Sequence, residues 1–213
     1  PPRSTLFPYT TLFRSLSFTY PTGSAPTLEA ISLTLEPGQT LGIVGKTGSG
    51  KTTLVEQLLG FYPVPEDSLF LGGREVHDWQ ISTIRNGIAY VPQDHYLFSE
   101  TVADNVRFSR EDATDTEILE ALEFASFRDD LEALPDGMET MVGERGVTLS
   151  GGQQQRLSLA RAALKDADIL ILDDSLSAVD HRTEASIIRN INEGRKGRTT
   201  IITAHRLSAV RDA

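Results

Sequence analysis

The sequence predicts an α/β fold: a mainly parallel sheet, a small antiparallel β subdomain ahead of it, and an α-helical subdomain. Two observations carry that class. Four short apolar, largely β-branched runs, at residues 41–45, 88–91, 169–172 and 199–203, are each bounded by turn or polar residues, as buried parallel strands are. Between them lie stretches with an apolar residue every three or four positions, the period of an amphipathic helix. Strands therefore alternate with helices, and parallel pairing through crossovers follows.

Taken in order, residues 1–15 (PPRSTLFPYTTLFRS) hold three prolines, no acid and no clear period of 2 or 3.6. They resemble the peptide obtained when sequencing-adapter DNA is translated, and are expected to be a non-native segment ahead of a domain running from 16 to 213. The next forty or so residues alternate and are rich in turns, which suits the antiparallel addition. After the run at 41–45, residues 51–60 (KTTLVEQLLG) read as a helix closed by Gly60. The helical subdomain is expected at about 95–160. Within it, residues 116–126 place Ile118, Leu119, Leu122 and Ala125 on one stripe, and Thr114 with Glu117 has the spacing of a capping box. Ser150 and Gln153 repeat that spacing before a helix from about Gly152 to Lys165, with Leu157, Ala160 and Leu164 on one face. A last helix runs from about Asp180 to Glu193 and stops at Gly194. The chain ends at Ala213 inside a helix-like segment (LSAVRDA) that lacks a Gly or Asn stop signal, so the domain is expected to be C-terminally truncated.

Composition narrows the function classes. Twenty Lys plus Arg stand against thirty Asp plus Glu, a net charge of -10, the wrong sign for a chain that lives on phosphate backbones, so no nucleic acid partner is expected. Cysteine is absent from the sequence, which excludes a disulfide framework, a thiolate zinc site and a cysteine nucleophile. No run of 18 apolar residues occurs, so nothing in these 213 residues is a membrane-spanning helix candidate.

The chemistry begins at residues 45–53, GKTGSGKTT. Gly45, Gly50, Lys51 and Thr52 satisfy the pattern of Gly, four residues, Gly, Lys and Ser or Thr, and the motif follows an apolar strand and opens a helix. Glycines let successive backbone N–H groups turn inward around phosphates without Cβ clashes, the helix N-terminus adds partial positive charge, and Lys51 supplies a mobile cation. This predicts a P-loop NTPase core. Gly45, Lys46, Thr47, Gly48, Ser49, Gly50, Lys51, Thr52 and Thr53 are the candidate nucleotide-binding residues, with Thr52 offering its hydroxyl to Mg2+. The other half of such a site is an acid at the end of a neighbouring strand, and Asp173 after ILIL fits as the magnesium anchor.

Further on, VTLSGGQQQRLSLARAAL carries Ser150, Gly151, Gly152 and Gln153, a Ser hydroxyl and Gly backbone donors at a helix N-terminus, which is a second anion site. With the cradle upstream, the chain resembles an ABC-type ATPase, whose signature is LSGGQ. The resemblance covers residues 16–213 and implies that the signature grips a γ-phosphate held on an opposite subunit's cradle. It further implies that Tyr20 in FTYP stacks on adenine, that Gln93 in VPQD touches magnesium and water, and that Asp180 in SAVD lies in a loop crossing the dimer interface. His205 in TAHR is similar to the switch histidine that contacts the γ-phosphate. The stretch TMVGERG is similar to that preceding the signature in exporter-type members, where Glu144 would approach the membrane domain's cytoplasmic helices.

One position departs from the family. A Glu follows the strand-end Asp there and acts as general base, whereas this sequence has Asp174. Asp is one methylene shorter, which draws the carboxylate back by about 1 Å, and a misplacement of that size can cost around 100-fold in rate. The resemblance therefore implies an exporter ATPase that uses ATP and Mg2+ on the cytoplasmic face of a cell membrane. It would close against a second nucleotide-binding domain, of a different subunit, and drive a transmembrane domain that this chain lacks. Asp174, His205 and Gln93 are its candidate catalytic residues, with hydrolysis reduced at its own site. The alternatives are a homodimeric exporter in which Asp174 is a slow base, and a soluble ABC ATPase of DNA repair or translation.

Overall fold

Two four-stranded sheets organise the chain, in a computed structural model that describes residues 10–143, 146–205 and 210. In chain order the elements are β1 (Thr11–Phe18), β2 (Leu28–Leu35), β3 (Thr40–Val44), α1 (Lys51–Leu58), β4 (Leu69–Leu71), β5 (Arg74–Glu75), α2 (Ile81–Asn86) and β6 (Ile88–Val91). They continue with α3 (Val102–Arg107), α4 (Asp115–Phe124), α5 (Arg128–Ala133), α6 (Gly151–Lys165), β7 (Ile169–Asp173), α7 (His181–Gly194) and β8 (Thr199–Ala204).

The four apolar runs become β3, β6, β7 and β8, all parallel, in the order β3-β8-β7-β6. Strand β7 (ILILD) is buried at every position, as a strand covered on both faces must be. Its side chains divide by parity between two cores. Leu170 and Leu172 join Ala89, Val91 and Ile202 in a cluster completed by α3, α4, α6 and α7, whereas Ile169 and Ile171 join Ile88 and Ile201 in a cluster completed by α1 and the antiparallel sheet. The period-2 alternation of a strand is what lets one strand serve both layers. Amphipathic packing does the same for the helices: Leu157, Ala160 and Leu164 of α6 face the first core, Leu54, Val55 and Leu58 of α1 the second.

The antiparallel sheet runs β2-β1-β4-β5 and takes in residues ahead of Leu16. Strand β1 begins at Thr11, so residues 11–15, assigned to the segment outside the domain, lie between β2 and β4: Phe13 is opposite both Leu33 and Leu69 and only 1% exposed. The reason is local. Thr11 and Phe13 point inward and Arg14 outward over the Phe70 ring, the alternation a half-buried strand needs. A register shift between Phe13 and Leu16, with Ser15 at φ +48°, then returns Leu16 to the interior. Residues 1–9 and 211–213 lie outside the described residues, as does Glu144.

Both capping boxes form: the Thr114 and Ser150 hydroxyls accept the N–H of Glu117 and Gln153, whose side chains reach back to the cap backbone. Helices α2, α3 and α5, six residues each, have no sequence signature strong enough to announce them.

Candidate functional site

The cradle stands where β3 gives way to α1. Gly50, the N-cap of α1, has φ +89° and Gly48 φ +79°, conformations that L side chains rarely adopt, and a Cβ on Gly50 would sit 2.9 Å from the Thr27 carbonyl. A Cβ on Gly45 would lie 2.5 Å from Ser49 Oγ, so a larger residue there would have to push the Ser49 side chain aside. Lys51, 8% exposed, folds its ammonium back into the loop, donating to the Gly45 and Lys46 carbonyls at 2.9 and 3.1 Å. Among the described residues no carboxylate lies within ion-pair distance of it.

A cavity of about 330 Å³ opens over this loop, lined by Tyr20, Thr27, residues 47–53, Gln93, Asp174 and His205. Tyr20, two residues past the end of β1, hydrogen-bonds through its hydroxyl to the Thr53 hydroxyl at 2.8 Å, and meets Phe18 and Tyr62 edge-on at 5.0 and 5.2 Å. The end of β7 supplies the acids, and β8 the hydroxyl of Thr203 beside them. Asp173, opposite Thr203 in the parallel ladder and 1% exposed, accepts from the Thr203 hydroxyl at 2.5 Å and from the Tyr90 hydroxyl at 3.3 Å. Burial, with the negative charge of Asp173 beside it, pushes the Tyr90 phenol far above its ordinary value, so it stays a donor. Asp174, next along, turns out of the strand at φ +46°, a left-handed conformation that Asp tolerates better than most residues. Its backbone N–H goes to the Thr203 carbonyl and hydroxyl, and its carboxylate lies 3.1 Å from His205 Nε2. His205 Nδ1 faces the Gly45 carbonyl at 3.2 Å, so the ring bridges Asp174 and the cradle.

Among the sequence-predicted residues, Gly45 and Lys46 do not line the cavity and supply the carbonyls that hold Lys51; the others fall into two groups. Tyr20, Thr47 to Thr53, Gln93, Asp174 and His205 share one cavity, and Asp173 lies beneath it. Ser150 to Gln153 and Asp180 do not line that cavity; they cap α6 and α7. Asp180 accepts from the N–H of Arg182 and Thr183 and from the Thr183 hydroxyl, bonds that hold its carboxyl below the usual range, the Thr183 hydroxyl foremost. The two caps are neighbours, since a Cβ on Gly152 would lie 3.0 Å from the Ala178 carbonyl and the buried Gln155 side chain accepts the Ala178 N–H at 3.2 Å. From the other side Asp130 of α5 takes hydrogen bonds from Gln153 and Arg156. Sequence reasoning did not find Thr203, Tyr90 or Thr27. The register of β7 against β8 identifies Thr203, and no single-sequence pattern carries that register.

The chemistry of the donors fits a nucleoside triphosphate and a hard divalent cation. A buried ammonium held by carbonyls at a helix N-terminus, with no carboxylate within ion-pair distance among the described residues, calls for anionic oxygen. The hydroxyl of Thr52 and the carboxylate of Asp173 are oxygen donors of the kind magnesium takes.

The family described as "ABC transporter" matches residues 28–177. The probable multidrug resistance ABC transporter ATP-binding/permease protein YheI of Bacillus subtilis (strain 168) is 55% identical over 95% of this chain and 34% of its own length. The multidrug resistance-like ATP-binding protein MdlA of Escherichia coli (strain K12) is 48% identical over 92% of this chain and 33% of its own length, and the ATP-dependent lipid A-core flippase of Photobacterium profundum is 43% identical over 94% and 34%. A bacterial Atm1-family ABC exporter with ATP bound superposes with a TM-score of 0.90 at 35% identity, covering 96% of this chain and 36% of that one. The chain therefore spans about a third of the length of the relatives it matches. With the P-loop, the LSGGQ helix and the two-sheet architecture in place, the chain belongs to the ABC transporter family.

Proposed function

We propose that this domain binds ATP with Mg2+, closes against a second nucleotide-binding domain belonging to a different subunit, and powers export across a membrane from its cytoplasmic face. In this reading the transmembrane domain lies in the two-thirds of the protein outside this chain. Residues 47–53 wrap the phosphates, Lys51 turns from its carbonyls to phosphate oxygen, Tyr20 stacks on adenine, and Thr52, Gln93 and Asp173 hold the metal, which when bound neutralises charge on the transferring phosphoryl group. Ser150, Gly151, Gly152 and Gln153 address the phosphate on the opposing cradle, and Asp180 sits at the crossing between the domains.

The observation that carries the reduced hydrolysis is the Asp174–His205 contact of 3.1 Å. A general base must reach the attacking water, and Asp174 has a carboxylate one methylene short that is already engaged by the switch histidine. Its intact signature would then complete the hydrolysing site on the other subunit. The same contact supports a second reading, a homodimer in which Asp174 and His205 act together as a slow base pair. Both are separated by the steady-state ATPase rate of the complete transporter carrying Asp174→Glu, with Lys51→Ala as the inactive control. A gain of about tenfold or more with Glu supports the disarmed site. Turnover near about 1 per second with the natural Asp, unchanged by Glu, overturns it in favour of the homodimer.

A further inference from the structure

The loop that follows Gln93 is irregular from Asp94 to Glu100, yet one side chain of the signature helix pins it. Arg161, in the C-terminal third of α6, presents its guanidinium to three acceptors outside its own helix: Nε donates to the Asn105 carbonyl at 2.7 Å, one terminal nitrogen to the Tyr96 carbonyl at 3.0 Å, and the other to Asn105 Oδ1 at 2.9 Å. The Phe98 and Phe108 rings flank the same group at 5.2 and 5.9 Å. Asn105, fully buried on α3, completes the arrangement: its Oδ1 also accepts the Phe98 N–H at 2.9 Å, and its Nδ2 donates to the Phe98 and Thr101 carbonyls, both at 3.0 Å. No carboxylate lies within ion-pair distance of Arg161 among the described residues, so its half-buried charge is met on the protein side by carbonyls and rings. That is a costly way to place a cation unless the fork itself is needed, because a lysine could satisfy only one corner of it.

We propose that Arg161 is a positioning residue that makes the Gln93 loop and the signature helix one mechanical unit. The proposal rests on the reading of Gln93 and Ser150 given above. Tyr96 is three residues from Gln93, a tether of at most about 11 Å. With the Tyr96 carbonyl and Phe98 fixed, any displacement of Gln93 must be absorbed by Asp94 and His95 or passed to Arg161. From Arg161 to Ser150 the chain is helix, about three turns, which moves as a rod. What the metal side of the cradle does to Gln93 is thereby delivered to the signature that faces the other domain. Asn105 also closes the circuit at α3, one of whose last-turn carbonyls accepts from Arg161, so the brace joins α6, α3 and the loop after Gln93.

The test uses the complete transporter. In the unaltered protein, amide exchange in residues 96–101 should be as slow as in α3, despite the irregular backbone; exchange at loop rates overturns the brace. Arg161→Lys keeps the charge and loses the fork. It should speed exchange across 96–101 by about tenfold and lower kcat by about fivefold or more, while KM for ATP stays within about twofold because the cradle is untouched. A fall in kcat without faster exchange in 96–101 overturns the proposal, as does faster exchange with normal kcat. If the unaltered protein binds no ATP, the cradle reading fails, whereas the exchange comparison still decides whether Arg161 holds the loop.

Discussion

Thr203 carries two jobs on one hydroxyl: it donates to Asp173 Oδ1 and accepts the N–H of Asp174. Thr203→Val keeps the shape and leaves both groups without that partner in a buried site, which should cost about 1–3 kcal/mol of stability. Turnover should fall more than ATP affinity, since Lys51 and the loop amides are untouched; a titration of nucleotide binding beside steady-state kinetics reads the split. His95, half-buried two residues past Gln93, has an Nδ1 that no hydrogen bond reaches among the described residues. Burial depresses its imidazole below the ordinary 6.5, against an opposing pull from Asp94. The unfolded ring therefore takes up a proton before the folded one does, so the stability it contributes is intact above about pH 6.5 and is lost as the pH falls toward the folded value. Thermal melts between about pH 7.5 and 5.5 should show a steeper acid loss for the natural protein than for His95→Gln.

At the scale of the element, the signature helix is held by a reciprocal cap, and Ser150→Ala removes its hydroxyl half. The cost should be about 1 kcal/mol, a drop of about 2–4 °C in melting temperature for a chain of this size. If the opposing phosphate depends on the same hydroxyl, ATPase activity of the complete transporter falls much further than that shift accounts for. Long elements were legible because each has its own cues: ILIL announces β7, and the Thr114 and Ser150 boxes announce α4 and α6. The short ones were not. Helix α3 exists because Asn105 and Val106 are drawn into the core and Thr101 caps it, a tertiary cause that six residues cannot advertise. For the same reason the cradle was readable from GKTGSGKTT, whereas Thr27 and Tyr90 reach the site through sheet packing that leaves no trace at their own positions.

Over the whole molecule, the antiparallel sheet depends on its second strand. Phe13→Ala removes a fully buried ring between Leu33 and Leu69 and should cost about 3–5 kcal/mol, and a domain begun at Leu16 should be destabilised further, because both neighbours of β1 then lose a hydrogen-bonded partner. Chemical denaturation of both variants beside the unaltered chain checks this; midpoints equal to that of the unaltered chain would mean that residues 11–15 contribute nothing to the sheet. Their place there was hidden from sequence reasoning by the prolines just upstream and by the break in alternation at Ser15, which the register shift absorbs.

The parity of β7 has a consequence for how such a domain can change over time. Leu170 and Leu172 answer to the helical side, Ile169 and Ile171 to the side of α1 and the antiparallel sheet, and the strand backbone between them is the partition. Substitutions on one side are compensated by residues on that side alone, so each half of the domain has its own neighbourhood of acceptable mutations. The face that carries the LSGGQ helix can diversify with whatever it must meet, while the face that carries the nucleotide cradle is left undisturbed.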